Sequence, residues 1–272
     1  MKKIILHFLL LLIFFNFTLV HLAQAAINDG MSSASLNSTN GKLVAGKDQN
    51  KILPLASLTK LMTALVLIDL KINFNKKVTI TNSEINYTLP YIAEGDVTSK
   101  INLKAGDKVT KNDLWHAMLI ASSNEAAVAL ADSSGISRAS FVKRMNRKAK
   151  ALGLKNTKFT EPSGIDPKNI GTAKEMAVIA RHAYANYSLR TASASISYSF
   201  KDLNTGRKIS IYSRNNSLIA MKPLGMKVGY LTEAKMNCAI RLKKAGKDRV
   251  VVVLHAVNNA RRNAEINRLI KK

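Results

Sequence analysis

A serine and a lysine three residues apart, Ser57 and Lys60, form the first candidate for chemistry in this sequence. On a helix, side chains at positions i and i+3 lie on one face, with Cβ atoms roughly 5–6 Å apart. A neutral lysine amine at that distance can take the proton of a serine hydroxyl, and burial makes the neutral form accessible because it lowers the lysine pKa. The pair predicts nucleophilic acyl transfer through Ser57, with Lys60 as its base.

The same spacing occurs a second time, between Ser140 and Lys143, so the pattern alone is weak. The surroundings of the two copies differ. Apolar residues follow the first copy over 61–65, whereas the second lies in a segment rich in lysine and arginine. A depressed lysine pKa requires an apolar setting. We therefore expect the first copy to be reactive and the second to lie on a solvated helix face.

Two later motifs suit the same chemistry. Ser122 and Asn124 interrupt a helical pattern and present a hydroxyl and an amide at a turn. Lys227 begins a Lys-Val-Gly triplet that leads into a strand-like segment and supplies a second lysine. The chain contains no Gly-x-Ser-x-Gly, His-Glu-x-x-His or Walker motif, so the common alternatives for a catalytic centre are excluded.

Hydrophobic periodicity and turn residues place these motifs on an outline of the fold. A hairpin turn is marked at 40–41, and Thr172 with Glu175 has the pattern of a capping box at a helix start. Strands near both chain ends flank a helical middle, which predicts an α+β domain: one antiparallel sheet built from both ends, flanked by a helical subdomain. We predict helices over 58–70, 111–131 with a break at 122–124, 140–152, 172–186 and 261–272, and strands over 32–39, 42–45, 198–211 as a pair, 237–242 and 249–257.

The chain divides into a predicted signal peptide, 1–25, and one domain, 26–272. Two lysines precede an apolar run over 4–20, and small residues at Ala23 and Ala25 suit cleavage by a signal peptidase. A permanent membrane anchor is the alternative, but polar residues interrupt the run. We expect an exported protein that is periplasmic or associated with the cell wall.

The 272-residue chain carries a formal net charge of +25. Such a surface attracts polyanions, which for an exported protein are anionic wall polymers or lipid head groups. A solvated basic face without a partner is the alternative. The lysines are scattered and no zinc-finger spacing or aromatic-rich signature accompanies them, so we expect no nucleic-acid partner.

The single cysteine, Cys238, excludes an intramolecular disulfide and a zinc site built from cysteine pairs. It lies in an apolar, strand-like run, so we expect it to be a small buried core residue. The histidines lack metal-like partners nearby in sequence. We therefore expect neither a metal ion nor a cofactor.

Taken together, a Ser-x-x-Lys, a Ser-x-Asn and a Lys-x-Gly in this order form the set used by penicillin-binding enzymes. The sequence resembles the low-molecular-mass penicillin-binding proteins, the serine-type D-alanyl-D-alanine carboxypeptidases and endopeptidases of the bacterial cell wall. This similarity extends over essentially the whole mature chain and implies a β-lactamase/transpeptidase-like fold. The segments that carry it are Pro54–Ala64, Leu119–Ala127, Ala149–Thr157 and Glu161–Ile165.

The resemblance implies a role for each catalytic candidate. Ser57 would be acylated by a D-alanine carbonyl in a peptidoglycan peptide, or by a β-lactam antibiotic, and Lys60 would be its base. Ser122 would relay a proton, and Lys227 would shape the electrostatics of the site.

The resemblance also implies groups that hold the substrate. Asn124 would bind a substrate amide, and the backbone N–H groups of Ser57 and Tyr230 would form the oxyanion hole. Arg262 is the candidate for binding the substrate carboxylate, with its neighbour Arg261 as the alternative.

The third motif departs from the family pattern at its middle residue, Val228, where the family has threonine or serine. Valine keeps the shape of threonine but lacks the hydroxyl that helps to bind the substrate carboxylate. The loss of that hydrogen bond to a charged group corresponds to about 1.5–3 kcal/mol unless another group, such as Thr232, replaces it. Val228 therefore motivates an alternative function, a catalytically degenerate protein that binds wall peptides without cutting them.

Two finer expectations follow from the resemblance. Glu161 begins a Glu-Pro pair like that of the deacylating glutamate in class A β-lactamases, but its surroundings fit the peptidase family better, so we expect slow hydrolysis of a penicilloyl adduct. The short chain lacks room for the extra β domain and amphipathic tail of membrane-anchored carboxypeptidases. This favours the endopeptidase subtype, with carboxypeptidase activity left open.

Overall fold

The computed structural model describes residues 30–92, 99, 101–213 and 215–272. The predicted signal peptide, 1–25, lies outside these residues. Within the described ranges, no helix is both long enough and apolar enough to cross a membrane.

The elements alternate between short strands and helices in the first two thirds of the chain and end in a long hairpin followed by a helix. The strands are β1 (Ser32–Asn37), β2 (Leu43–Lys47), β3 (Leu53–Pro54), β4 (Lys77–Thr79), β5 (Lys108–Thr110), β6 (Ile170–Gly171), β7 (Ser197–Lys201), β8 (Lys208–Tyr212), β9 (Gly225–Leu231), β10 (Lys235–Lys244) and β11 (Lys247–Ala256). The helices are α1 (Thr59–Asp69), α2 (Asn82–Ile85), α3 (Lys111–Ile120), α4 (Asn124–Asp132), α5 (Arg138–Ala151), α6 (Ala173–Ala185), α7 (Tyr187–Ala194), α8 (Asn216–Ile219) and α9 (Asn259–Lys271).

The main sheet has five strands in the order β2-β1-β11-β10-β9, and every neighbouring pair is antiparallel. Strand β1 pairs with β11 in a register that sets Ala34 opposite Val252. The first and last strands of the chain are therefore neighbours in one sheet. This confirms the predicted α+β class with a sheet built from both chain ends.

Strand β11 is buried on both of its faces, which explains its unbroken run of valines. Val250 and Val252 belong to the core cluster shared with the helical subdomain. Val251 and Val253 belong to a second cluster with Ile266 of α9. The sheet thus lies between the helical subdomain and the C-terminal helix.

Helix α1 lies in the middle of the helical subdomain and is buried from Thr59 to Leu67. It packs against α4, α5 and α6. A helix that is apolar on all sides is stable only inside a core, and this position carries Lys60 into a dry environment.

Most of the predicted elements are confirmed. The helices α2, α7 and α8 and the short strands β3 to β6 were not expected. The capping box predicted at Thr172 is confirmed only for the threonine. The Thr172 hydroxyl accepts a hydrogen bond of 3.1 Å from Glu175 N, but the Glu175 carboxylate turns away and binds the backbone N–H groups of Lys155 and Asn156. Glu175 therefore holds a neighbouring loop instead of its own helix start.

Candidate active site

Ser57 lies in a 3-10 turn, 56–58, that leads directly into α1. Lys60 Nζ lies 2.9 Å from Ser57 Oγ, so the predicted pair is in hydrogen-bonding contact. Ala56 has a φ of 49°, a left-handed conformation that residues with a Cβ seldom adopt. The turn before the helix therefore presents the serine at the site.

Lys60 is fully buried, with 0% of its surface exposed. Besides Ser57, its amine donates hydrogen bonds to Asn124 Oδ1 at 2.7 Å and to the Ser163 carbonyl oxygen at 2.5 Å. Burial lowers the pKa of Lys60 to about 7, against the smaller opposing effects of the Glu161 and Glu125 carboxylates. Near neutral pH the amine can therefore exist in its neutral form and accept a proton.

Ser122 and Lys227 form a second hydroxyl–amine pair. Ser122 occupies the break between α3 and α4 with a φ of 62°, and its hydroxyl accepts a hydrogen bond of 2.7 Å from Lys227 Nζ. Lys227, on β9, is 2% exposed. Burial and the nearby charge of Lys60 hold the pKa of Lys227 well below its usual value. The site thus contains two buried lysines, each bonded to a serine.

Two glycines allow neighbouring segments to pack closely against the backbone around Ser57. A Cβ on Gly229 of β9 would lie 2.8 Å from Ser57 N. A Cβ on Gly164, which has a φ of +87°, would lie 2.0 Å from the Ala56 carbonyl oxygen. Both distances are shorter than real Cβ contacts, so only glycine lets β9 and the loop after Glu161 pack against this turn.

Glu161 organises the loop that contacts Lys60. It is 3% exposed, and its carboxylate accepts hydrogen bonds from Ser163 N at 2.7 Å and Ser163 Oγ at 2.6 Å, and further bonds from Gly164 N and Asn169 Nδ2. The carboxylate thus accepts hydrogen bonds from its own loop, and the absence of a deacylating role for Glu161 stays a prediction. The Ser163 carbonyl was missed at the sequence level because a backbone acceptor has no residue-type signature.

A cleft of about 530 Å³ is lined by Ser57 and Ser122, the two serines that contact the buried lysines. Arg262 lines it although only 2% of the residue is exposed, whereas Arg261 is exposed and lies outside the lining. This geometry favours Arg262 over Arg261. The predicted residues that line the cleft are Ser57, Ser122, Asn124, Val228, Tyr230, Thr232 and Arg262.

Two further expectations concern Lys143 and Cys238. Lys143, in the second Ser-x-x-Lys copy, is exposed on α5, as expected for a solvated face. Cys238 is 1% exposed on β10 opposite Val228, which confirms its assignment as a core residue. Burial raises its pKa to about 11, so it remains a thiol.

Comparison with known proteins identifies the family of this chain. A model of the D-alanyl-D-alanine carboxypeptidase family matches residues 23–258. The D-alanyl-D-alanine carboxypeptidase DacF of Bacillus subtilis is 30% identical over 250 residues, which are 89% of this chain and 61% of the relative. The D-alanyl-D-alanine carboxypeptidase of Streptomyces sp. (strain K15) is 30% identical over 249 residues, or 87% of this chain and 84% of the relative.

Endopeptidases also occur among the relatives. The D-alanyl-D-alanine endopeptidase of Pseudomonas aeruginosa is 33% identical over 145 residues, 53% of this chain and 44% of the relative. The chain thus spans less than two thirds of the length of the Bacillus and Pseudomonas proteins.

Solved structures share the fold. A mutant of the Streptomyces K15 DD-transpeptidase matches with a TM-score of 0.80 at 28% identity, over 88% of this chain and 95% of that chain. A D-alanyl-D-alanine carboxypeptidase from Mycobacterium tuberculosis H37Rv matches with a TM-score of 0.72 at 27% identity, over 84% and 83% of the two chains. These matches confirm the β-lactamase/transpeptidase-like fold. The chain belongs to the D-alanyl-D-alanine carboxypeptidase family.

Proposed function

We propose that the protein is a serine DD-peptidase that cleaves D-alanyl bonds in peptidoglycan peptides through an acyl-enzyme on Ser57, and that β-lactams inhibit it by acylating the same serine. The observation that carries the proposal is the 2.9 Å contact between Ser57 Oγ and the buried amine of Lys60, whose pKa is lowered to about 7. A buried amine with this pKa is suited to general-base catalysis near neutral pH.

In the proposed mechanism, Ser57 Oγ attacks the carbonyl carbon of a D-alanine residue while Lys60 Nζ takes its proton. When the tetrahedral intermediate collapses, the peptide C–N bond breaks and the leaving amine needs a proton. Ser122, hydrogen-bonded to Lys227, would deliver it, and Lys60 would then return its proton to Ser122. Water then hydrolyses the ester on Ser57 by the same proton transfers in reverse.

Other groups in the cleft would hold the substrate. The backbone N–H groups of Ser57 and Tyr230 would stabilise the oxyanion, since β9 lies against the 3-10 turn through Gly229. Asn124 would bind the substrate amide through its Nδ2, because its Oδ1 already accepts from Lys60. Arg262 would bind the substrate carboxylate.

The alternative function, a degenerate protein that binds wall peptides without cutting them, is not favoured. It rests on Val228 alone. The two serine–lysine contacts remain intact, and loss of a carboxylate contact lowers a rate more readily than it removes a nucleophile. We propose that Val228 tunes the strength of substrate binding.

We propose further that the protein is exported and that its basic surface associates with anionic polymers or lipid head groups of the cell envelope. Helix α5 supports this, because four of its cations, Lys143, Arg144, Arg147 and Lys150, are exposed and the helix contains no acidic residue. Co-sedimentation with purified cell walls should weaken as salt rises. Replacement of the four cations by glutamine should weaken it more than replacement of four scattered lysines.

Fluorescent penicillin labelling tests the nucleophile. Wild type should form a stable covalent adduct, and Ser57→Ala should form none. Ser140→Ala, at the second Ser-x-x-Lys copy, is the matched control and should label as wild type does. Absence of labelling in wild type would remove the main support for the enzyme.

A digest of purified muropeptides tests which bond is cut. An endopeptidase converts cross-linked dimers into monomers, whereas a carboxypeptidase releases free D-alanine from pentapeptides. We expect the endopeptidase products to dominate. If the protein labels with penicillin but leaves both the cross-linked dimers and the pentapeptides intact, the binding function would be favoured.

A further inference from the structure

Val228 leaves the predicted carboxylate subsite without a hydroxyl at this position of β9, where the family pattern has threonine or serine. Thr232, the replacement that the sequence suggested, lies beyond the end of this strand at Leu231. Thr232 lies four positions after Val228, and the part of the strand from Val228 to Leu231 alone spans about 10 Å. The hydroxyl of Thr232 therefore cannot occupy the position that a hydroxyl at residue 228 would have. Any replacement for it must come from another residue of the cleft.

Helix α9 places a second polar side chain beside the cleft arginine. Asn259 and Arg262 are three residues apart in this helix, so their side chains lie on one face, and both line the cleft. The neighbouring Asn258 caps the helix by accepting a hydrogen bond of 2.9 Å from Arg261 N. Since capping is carried out by Asn258, the amide of Asn259 is available to a ligand.

The surroundings of Arg262 suit it to bind an anion. It is 2% exposed, and among the residues that the structure describes no carboxylate pairs with it. Its Nε donates a hydrogen bond of 3.1 Å to Asn263 Oδ1, and one terminal nitrogen approaches Ser217 Oγ at 3.5 Å. Both partners are neutral, so the positive charge is uncompensated within the described part of the chain, next to the positive end of a helix.

A second amide lines the same cleft at the start of α8. Asn215 occupies the N-cap position of this helix, but its side chain makes no capping hydrogen bond. It is half-buried and lines the cleft with Asn259 and Val228. Two asparagine amides thus line the same cleft as Arg262 and Val228.

We propose that Asn259, assisted by Asn215, donates the hydrogen bonds to the substrate carboxylate that a hydroxyl at position 228 would otherwise supply, with Arg262 as the countercharge. This rests on the proposed function of the same site. The carboxylate belongs to a peptide that ends in D-alanine or to the ring system of a penicillin. The subsite therefore uses neutral amides from two helices in place of one hydroxyl from the strand.

Acylation rates for benzylpenicillin and for its methyl ester, which lacks the carboxylate charge, test the proposal. Asn259→Ala should slow acylation by benzylpenicillin about tenfold, the size of one hydrogen bond to a charged group. It should leave the reaction with the ester unchanged. Adding Val228→Thr to Asn259→Ala should restore most of the lost rate, because the hydroxyl returns. Asn267→Ala, an exposed asparagine further along the same helix, should change neither rate.

Equal slowing with both probes would overturn the proposal, because it would mark Asn259 as merely structural. A wild-type rate in the Asn215→Ala, Asn259→Ala double variant would overturn it as well. A binding measurement on Ser57→Ala separates this proposal from the enzymatic one, because this variant lacks the nucleophile. Calorimetry would compare its affinity for a D-alanyl-D-alanine peptide with its affinity for the C-terminal amide of the same peptide. Loss of the preference for the free carboxylate on removal of Asn259 would support the subsite even if wild type formed no acyl-enzyme.

Discussion

Lys227 donates a hydrogen bond of 2.7 Å to Ser122, and this contact joins the edge strand of the sheet to the break between two helices. The second buried lysine, Lys60, makes the corresponding contact with Ser57. Burial lowers the pKa of both amines, and the charge of Lys60 lowers the pKa of Lys227 further. Lys60, with a pKa of about 7, can therefore take and release a proton near neutral pH, which is the property that the proposed acylation requires.

The rate of acylation by penicillin should rise with pH through about 7. Lys60 acts as a base only when it is neutral, and its pKa of about 7 means that the reactive fraction falls about tenfold for each pH unit below that value. Lys60→Arg should lose on the order of a thousandfold, because the guanidinium remains protonated. Stopped-flow acylation over a range of pH measures both effects. A flat profile across neutral pH would argue against Lys60 as the base.

Gly229→Ala should impair acylation while the protein still folds. The added Cβ would lie 2.8 Å from Ser57 N and 3.0 Å from Ala56 Cβ, so β9 must move away from the nucleophile. A displacement of about 1 Å in such a site costs roughly a hundredfold in rate. Gly246→Ala is the control for a glycine substitution far from the site: its φ of +75° strains the turn, but nothing lies within 4 Å of the new Cβ, so it should acylate normally once folded. An unaffected rate in Gly229→Ala would mean that the approach of β9 to Ser57 is not needed for reaction.

Glu161→Gln should lower stability and move the pH profile toward lower pH. The new NH₂ group would face N–H donors of the loop, and buried donors that lose their acceptor cost about 1–3 kcal/mol each. Removing the carboxylate also removes a charge that raises the pKa of Lys60. Thermal unfolding and the acylation profile measure the two effects. Normal acylation with a greatly prolonged penicilloyl adduct would instead identify Glu161 as a deacylating base.

Thr63→Val and Thr59→Val form a matched pair on helix α1. The hydroxyl of Thr63 donates a hydrogen bond of 2.6 Å to the Pro162 carbonyl oxygen, so its removal should destabilise the fold by about 0.5–1.5 kcal/mol. The hydroxyl of Thr59 is buried without a partner in the described part of the chain, so valine there should be neutral or stabilising. Denaturant unfolding of both variants tests the pair, and equal losses would show that the contact with Pro162 contributes nothing.

Local patterns were sufficient for the elements that carry the nucleophile. The apolar run of α1 predicted a buried helix, and the break at Ser122 predicted the turn between α3 and α4, because periodicity and capping are determined by neighbouring residues. The motif order also led to the family. The antiparallel sheet followed from the positions of the strands at both chain ends.

Contacts between distant segments could not be predicted in the same way. Nothing near Ser122 indicates that Lys227 lies 2.7 Å away. The bond from Lys60 to the Ser163 carbonyl oxygen uses a backbone acceptor, which any residue supplies. The Glu175 carboxylate could accept hydrogen bonds either from its own helix start or from the loop at Lys155. Tertiary packing selected the loop.

The strand order of the main sheet means that the site is completed late in folding. Ser32 pairs with Leu254, so β1 finds its central partner only after almost the entire chain is available, and such long-range pairing is slow. Ser57 and Lys60 are synthesised early, but the strand that carries Lys227 and closes the site comes near the end. We expect a nascent chain to contain an inert serine. Its nucleophile would become reactive only when the last hairpin docks, which protects an incomplete chain from premature acylation.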